Sequence, residues 1–167
     1  MKLLWDFYGE AEELIVTFNA FSIKHSLSGR ALPDHLCYKC ESKASFENIR
    51  VMLESESEYL FQSIISGRRI AIVRLKQGIE TVLGKIYFLE LSDQKPDGSQ
   101  SEGFDHLEVY PVERTYEEMV REFEVSETVV KVQRPHHTTH DISLEGGFVF
   151  RCTEGPLMEK IRLSEMV

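Results

Sequence analysis

Apolar residues recur every three or four positions near the N-terminus, at Leu4, Phe7, Tyr8, Ala11, Leu14, Ile15, Phe18 and Phe21. That repeat predicts one long opening helix. Its aromatic stripe reads as core packing rather than as a partner-binding face, because apolar stripes at helical spacing more often pack into a core. Gly29 and Pro33, in "SGRALPDH", oppose continuation of the helix.

Beyond it the pattern runs twice through the same order. The strand-like "HLCYKC" leads to "ASFENIRVMLESES", where Phe46, Ile49, Met52 and Leu53 share a helical face. Three β-rich runs follow, "YLFQSII", "RRIAIVRL" and "TVLGKIYFLEL", parted by Gly67-Arg68 and by Gln77-Gly78. The polar "SDQKPDGSQSEG" reads as a linker. "DHLEVYP" then precedes "TYEEMVREFEV", in which Thr115 and Glu118 have capping-box spacing and Tyr116, Met119, Val120 and Phe123 line one face. "VVKVQRP", "DISL" and "GGFVFRCTE" supply three more strands. The organisation predicted is α+β: a helical segment over 1–30, a βαβββ module over 31–91, a linker over 92–103 and a second βαβββ module over 104–167, in one compact domain.

At 167 residues and 42% hydrophobic content the chain can bury one core. A net charge of −9 with scattered basic residues disfavours nucleic acid as a partner. No apolar run spans a bilayer and the acid-interrupted N-terminus does not read as a signal peptide, so the expectation is no membrane partner and a cytoplasmic location. Three cysteines give no disulfide framework.

"DHLCYKC" joins a CxxC, Cys37 and Cys40, to His35, which raises the question of a zinc or redox site. On a strand, side chains alternate, so Cys37 shares the face of His35 and Cys40 points away. A zinc ribbon also needs a second ligand pair, which Cys152 alone does not provide. Two buried cysteines are the expected outcome. What recurs is the histidine: Asp-His-Leu opens both modules, at His35 and His106.

A paired βαβββ repeat with a histidine on the first strand of each unit resembles the vicinal oxygen chelate superfamily, which includes glyoxalase I and extradiol dioxygenases. Within it the order "PDHLCYKC", "YFLELSD", "FDHLEVYP" and "LMEKIRLSE" is most similar to the YecM-like metal-binding proteins, over residues 31–167. The resemblance implies a glyoxalase/dioxygenase-like fold whose two modules form a curved sheet cup. It also implies a divalent metal ion (Zn, Ni, Mn or Fe(II)) held by residues of the first and fourth strand of each module. Carried over, the ligands are His35, Glu90, His106 and Glu154, with Glu154 standing where the family pattern has histidine. Glu90 follows His35 by 55 residues and Glu154 follows His106 by 48.

Two imidazoles and two carboxylates suit a divalent ion and leave an open position for water or substrate. Without the ion, two neighbouring carboxylates would repel and one would be driven to protonate. Glu108 shares the face of His106 and, with Glu154, is a candidate catalytic carboxylate; a salt bridge from Glu108 to Lys39 is the alternative. His136, His137 and His140 fall in an expected loop, "RPHHTTHD", as a solvated segment or a lid. The function expected is a metal-dependent isomerase, lyase or dioxygenase acting on a small oxygen-rich molecule. A non-catalytic binding or sequestering protein of the same fold is the alternative, and a partner-docking protein is a third reading.

Overall fold

The computed structural model describes residues 2–65, 67–134 and 137–159. The order is α1 (Leu4–Lys24), β1 (Ala31–Lys39), α2 (Lys43–Glu54), β2 (Ser57–Ile65), β3 (Arg68–Thr81), β4 (Gly84–Ser92), β5 (Gly103–Pro111), α3 (Tyr116–Glu124), β6 (Val130–Gln133), β7 (Thr138–Ser143) and β8 (Val149–Cys152). Eight strands among the described residues form one sheet in the order β2-β3-β4-β1-β5-β8-β7-β6. In each half the module's first strand lies parallel to its last, β1 beside β4 and β5 beside β8. The halves meet where β1 and β5 pair antiparallel. The α+β fold of two βαβββ units is therefore the one observed.

Strand alternation divides the sheet into two chemically distinct faces. Leu36, Tyr38, Leu89, Leu91, Leu107, Val109, Phe150 and Cys152 are fully buried in the apolar core. The alternate residues of the same strands, including His35, Glu90, His106, Glu108 and Arg151, form the other face. The helices contribute Phe18, Phe46, Ile49, Leu53, Met119 and Phe123 to the core. Both module helices are capped as short helices need to be: Ser42 accepts from the Ser45 amide, and Thr115 with Glu118 closes the capping box that the spacing predicts.

The aromatic stripe of α1 is core. Phe7 packs on Tyr38 of β1 and on Phe104 of β5, each with ring centroids 5.0 Å apart. Phe18 stacks on Phe150 at 5.5 Å, and Phe21 contacts Phe123 and Phe150. One helix thus joins both modules, rather than decorating the outside of one. Tyr8 departs from the predicted stripe by remaining half-buried.

The structure corrects two strand boundaries. Gln77-Gly78 is not a break: β3 runs through it to Thr81, and its register against β4 slips between Arg74 and Ile79. Gly78 has φ +71°, and a side chain there would press within 3.1 Å of the Tyr87 ring, so glycine allows the strand to bulge without ending. The second difference is "HHTTH", where β7 begins at Thr138 and takes His140 into the sheet. The segment 92–103 is polar and irregular but anchored, because the buried Gln100 amide donates to the carbonyls of Cys40, Ser92 and Asp93.

Because Phe18 is fully buried and bridges α1 to β8, Phe18→Ala should destabilise the protein by about 3–5 kcal/mol in urea denaturation. Val16, on the opposite and exposed side of the helix, should cost no more than about 0.5 kcal/mol when changed to alanine.

Candidate metal centre

The register between the modules assembles the centre. Across the β1–β5 pair His35 faces Glu108 and Cys37 faces His106. The parallel neighbours place Phe88 beside His35, Glu90 beside Cys37, Arg151 beside Glu108 and Val149 beside His106. Two adjacent rows therefore cross the polar face: Phe88, His35, Glu108, Arg151, and Glu90, Cys37, His106, Val149.

Each Asp-His pair sits on a β-bulge. Pairing passes directly from Pro33 and Val109 to His35 and Glu108, leaving Asp34 as an extra residue in β1. It passes from Cys37 and His106 to Tyr38 and Phe104, leaving Asp105 extra in β5. A bulged residue is released from strict alternation, so each aspartate can reach the histidine that follows it. Asp34 Oδ2 lies 2.7 Å from His35 Nδ1, and Asp105 Oδ2 lies 2.7 Å from His106 Nδ1. An Nδ1–H donated to a carboxylate fixes the ring and leaves Nε2 as the free, more basic nitrogen. The aspartates are held in turn: Asp34 accepts the Leu157 amide on both oxygens, at 3.0 and 2.9 Å, and Asp105 accepts from Lys39 Nζ at 2.6 Å.

Both Nε2 atoms converge on one oxygen. Glu108 Oε1 is 3.8 Å from His35 Nε2 and 3.7 Å from His106 Nε2. Ligand atoms of His35, His106 and Glu108 all lie within 4.8 Å of one another. Glu90 approaches from the open side, its Oε2 3.5 Å from His35 Nε2 and its side chain 22% exposed. His35 Nε2 is buried and makes no hydrogen bond, although carboxylate oxygens stand 3.5 and 3.8 Å away, a spacing that leaves room for a cation between them. Two fixed imidazoles and one or two carboxylates are the donor set of Zn, Ni, Mn or Fe(II), and the orphaned nitrogen fits such an ion.

The charges distribute differently from the expectation of two repelling carboxylates. Burial opposes protonation of His35, but Glu108, Asp34 and Glu90 together raise its pKa well above 6.5. Burial likewise opposes ionisation of Glu90, yet His35 and His106 hold it down to about 2. Glu108, despite its burial, is held well below the ordinary carboxylate range by the same two histidines and by Arg151. A proton on His35, rather than on a carboxylate, thus supplies the counter-charge when no ion is bound. Cys37, whose thiol points to Glu90 Oε1 at 3.5 Å, is pushed well up by burial and by Glu90, and stays protonated. Cys40 lies in the apolar core, where burial raises it to about 12.

His35, Glu90, His106 and Glu108 are brought together; Glu154 is not. It is exposed and lies beyond the end of β8, whose side chains facing the centre are Val149 and Arg151. Phe150 and Cys152, which precede Glu154 at alternate positions, point into the core. Glu90 stands opposite the residue two past His35, and Arg151 opposite the residue two past His106, so Arg151 is the counterpart of Glu90 in the second module. Lys39 pairs with Asp105 and not with Glu108. His140 bonds Tyr116 on the helix side, away from the centre, and His136 lies outside the described residues. Asp34, Asp105 and Arg151 join the centre beyond the residues the sequence predicts, although Asp34 and Asp105 are part of the repeated Asp-His-Leu.

A single sheet of paired βαβββ modules, with histidines on the two central strands and carboxylates around them, defines an α+β protein with a candidate metal centre on its polar face. The chain belongs to the YecM family: the family model for YecM protein matches residues 8–165. A solved structural-genomics protein, EC4020, is similar with a TM-score of 0.76 at 19% identity, over 97% of this chain and 92% of that one. A methylmalonyl-CoA epimerase variant from Streptomyces coelicolor, in complex with 2-nitronate-propionyl-CoA, gives a TM-score of 0.46 at 14% identity, over 72% of this chain and 94% of that one. A 4-hydroxymandelate synthase mutant from the same organism gives 0.30 at 10%, over 76% and 49%. No curated protein sequence matches the chain.

The charge pattern has a stability consequence for the metal-free protein. His35, raised above 6.5, contributes stability that is complete below that value and is lost as pH rises through its elevated pKa. Glu90, lowered to about 2, contributes stability that is present above 4.5 and lost as pH falls toward 2. The stability difference between wild type and His35→Gln, measured in chelator by urea denaturation, should therefore be full at pH values below 6.5 and shrink as the pH is raised through the elevated pKa of His35.

Proposed function

We propose that the chain binds one divalent metal ion through His35, His106 and Glu108, with Glu90 completing the set, and that it acts enzymatically on a small molecule with adjacent oxygens. The observation that carries the reading is the buried, unpartnered Nε2 of His35, which converges with His106 Nε2 on Glu108. A divalent ion there would supply Lewis acidity to adjacent oxygens of a bound molecule. The chain's own residues do the rest. Asp34 and Asp105 keep both imidazoles in one tautomer and orientation. The helix-side core keeps the sheet rigid under them, and Glu90, ionised and at the solvent-facing edge, is placed to complete the ligand set or to take a proton from the bound molecule.

The depressed pKa of both carboxylates makes each a weak base, which favours holding a cation over proton transfer. That is the specific support for the alternative, a non-catalytic binding or sequestering protein of the same fold. Exchange of a substrate carbon-bound proton with deuterated solvent would separate the two readings.

Untagged protein should take up about one Zn or Mn ion per chain in equilibrium dialysis, with a raised melting temperature. His106→Ala and Glu108→Gln should each weaken binding by at least about tenfold. The double change of Cys37 and Cys40 to alanine should keep the stoichiometry, as should Glu154→Gln. Full uptake by both of the first two variants sinks the metal-centre assignment.

A further inference from the structure

Arg151 occupies, in the second module, the place that Glu90 holds in the first. A cation beside a centre built for a cation calls for an explanation. Its guanidinium is locked by Asp141 through a two-point fork, Nε to Oδ1 at 2.9 Å and Nη2 to Oδ2 at 3.0 Å. The remaining nitrogen, Nη1, lies 3.2 Å from His106 Nδ1 and 3.0 Å from its Nε2. A point nearly equidistant from both ring nitrogens at that range lies over the ring face, because the in-plane position between them is occupied by Cε1. Arg151 therefore stacks on the imidazole and leaves the in-plane lone pair of Nε2 free.

The wall beyond Arg151 carries a second cation. Arg134 donates to Thr139 Oγ1, and that hydroxyl lies 3.4 Å from Asp141 Oδ1. Burial, and then the positive charge of Arg151, lower the pKa of Arg134. Arg134 thus reaches the same aspartate through Thr139, and Arg151 Nη1 also lies 3.9 Å from Glu108 Oε1, so two guanidinium groups line one wall of the centre.

We propose that Arg151, backed by Arg134, is the subsite for a substrate carboxylate, so that the ligand is a small 2-oxo or 2-hydroxy acid. This rests on the metal-centre reading and specifies its substrate class. The carboxylate lies against the Arg151 wall, and the oxygen on the adjacent carbon is directed over His35, His106 and Glu108. A rigid guanidinium held from behind by a carboxylate suits a planar anion, whereas a lysine at this place would lack both the fork and the stacking.

The test is calorimetric titration of wild type, Arg151→Gln, Arg151→Lys and Arg134→Gln, first with Mn ion and then, on the loaded proteins, with pyruvate and with hydroxyacetone. Both small molecules carry adjacent oxygens, and only pyruvate is an anion. Wild type should bind pyruvate at least about tenfold more tightly than hydroxyacetone. Arg151→Gln should abolish that preference without weakening Mn binding, and Arg151→Lys and Arg134→Gln should each reduce it. Circular dichroism establishes that each variant is folded; should Arg151→Gln not fold, the other two variants carry the test. Equal pyruvate binding by wild type and the arginine variants, or no pyruvate binding by Mn-loaded wild type, overturns the subsite. A blank Mn titration of wild type overturns the metal centre instead. Pyruvate titration of the metal-free proteins then decides the subsite alone, upheld by arginine-dependent binding and overturned by its absence.

Discussion

The antiparallel pairing of β1 with β5 is the interaction on which the rest depends. It joins the two modules, and its register alone places His35 against Glu108 and Cys37 against His106. A shift of one residue in β1 would turn His35 into the apolar core and bring Leu36 to the polar face, and the same shift in β5 would exchange His106 and Leu107. The core prevents that slip, because Leu36, Tyr38, Leu107 and Val109 are all packed beneath the helices. Site and core are thus two faces of one constraint.

The two bulges refine this arrangement. A regular strand would send Asp34 and Asp105 to the side opposite their histidines, where each would be a carboxylate in an apolar layer. The extra residue in each strand lets the aspartate turn to the following imidazole, and each aspartate then gains a further partner, the Leu157 amide or Lys39. Burying so many charged groups is tolerated because each is paired within the polar layer. Among the described residues of that layer His35 Nε2 makes no hydrogen bond, and it lies at the point where the ligand atoms meet.

The modules are similar in backbone and different in chemistry. Cys37 and Glu90 on one side correspond to Glu108 and Arg151 on the other. The centre is consequently asymmetric: carboxylates approach from both modules, while a guanidinium fixed by Asp141 flanks the second alone. Repetition supplies the frame, and substitution at equivalent positions places a carboxylate, Glu90, on one side and a guanidinium, Arg151, on the other.

The sequence by itself determined the elements and the central histidines. Local periodicity specified α1 and its buried stripe, the Thr115–Glu118 box capped α3, and the repeated Asp-His-Leu marked the start of both modules. Strand parity also separated Cys37 from Cys40, since side-chain alternation is a local rule. Only the tertiary structure decided the fourth-strand positions. The face of a short strand such as β8 depends on which residue meets its partner, and that register placed Arg151, not Glu154, beside Glu108. The same limit hid the roles of Asp34 and Asp105, because a bulge exists only relative to a neighbouring strand that lacks the extra residue.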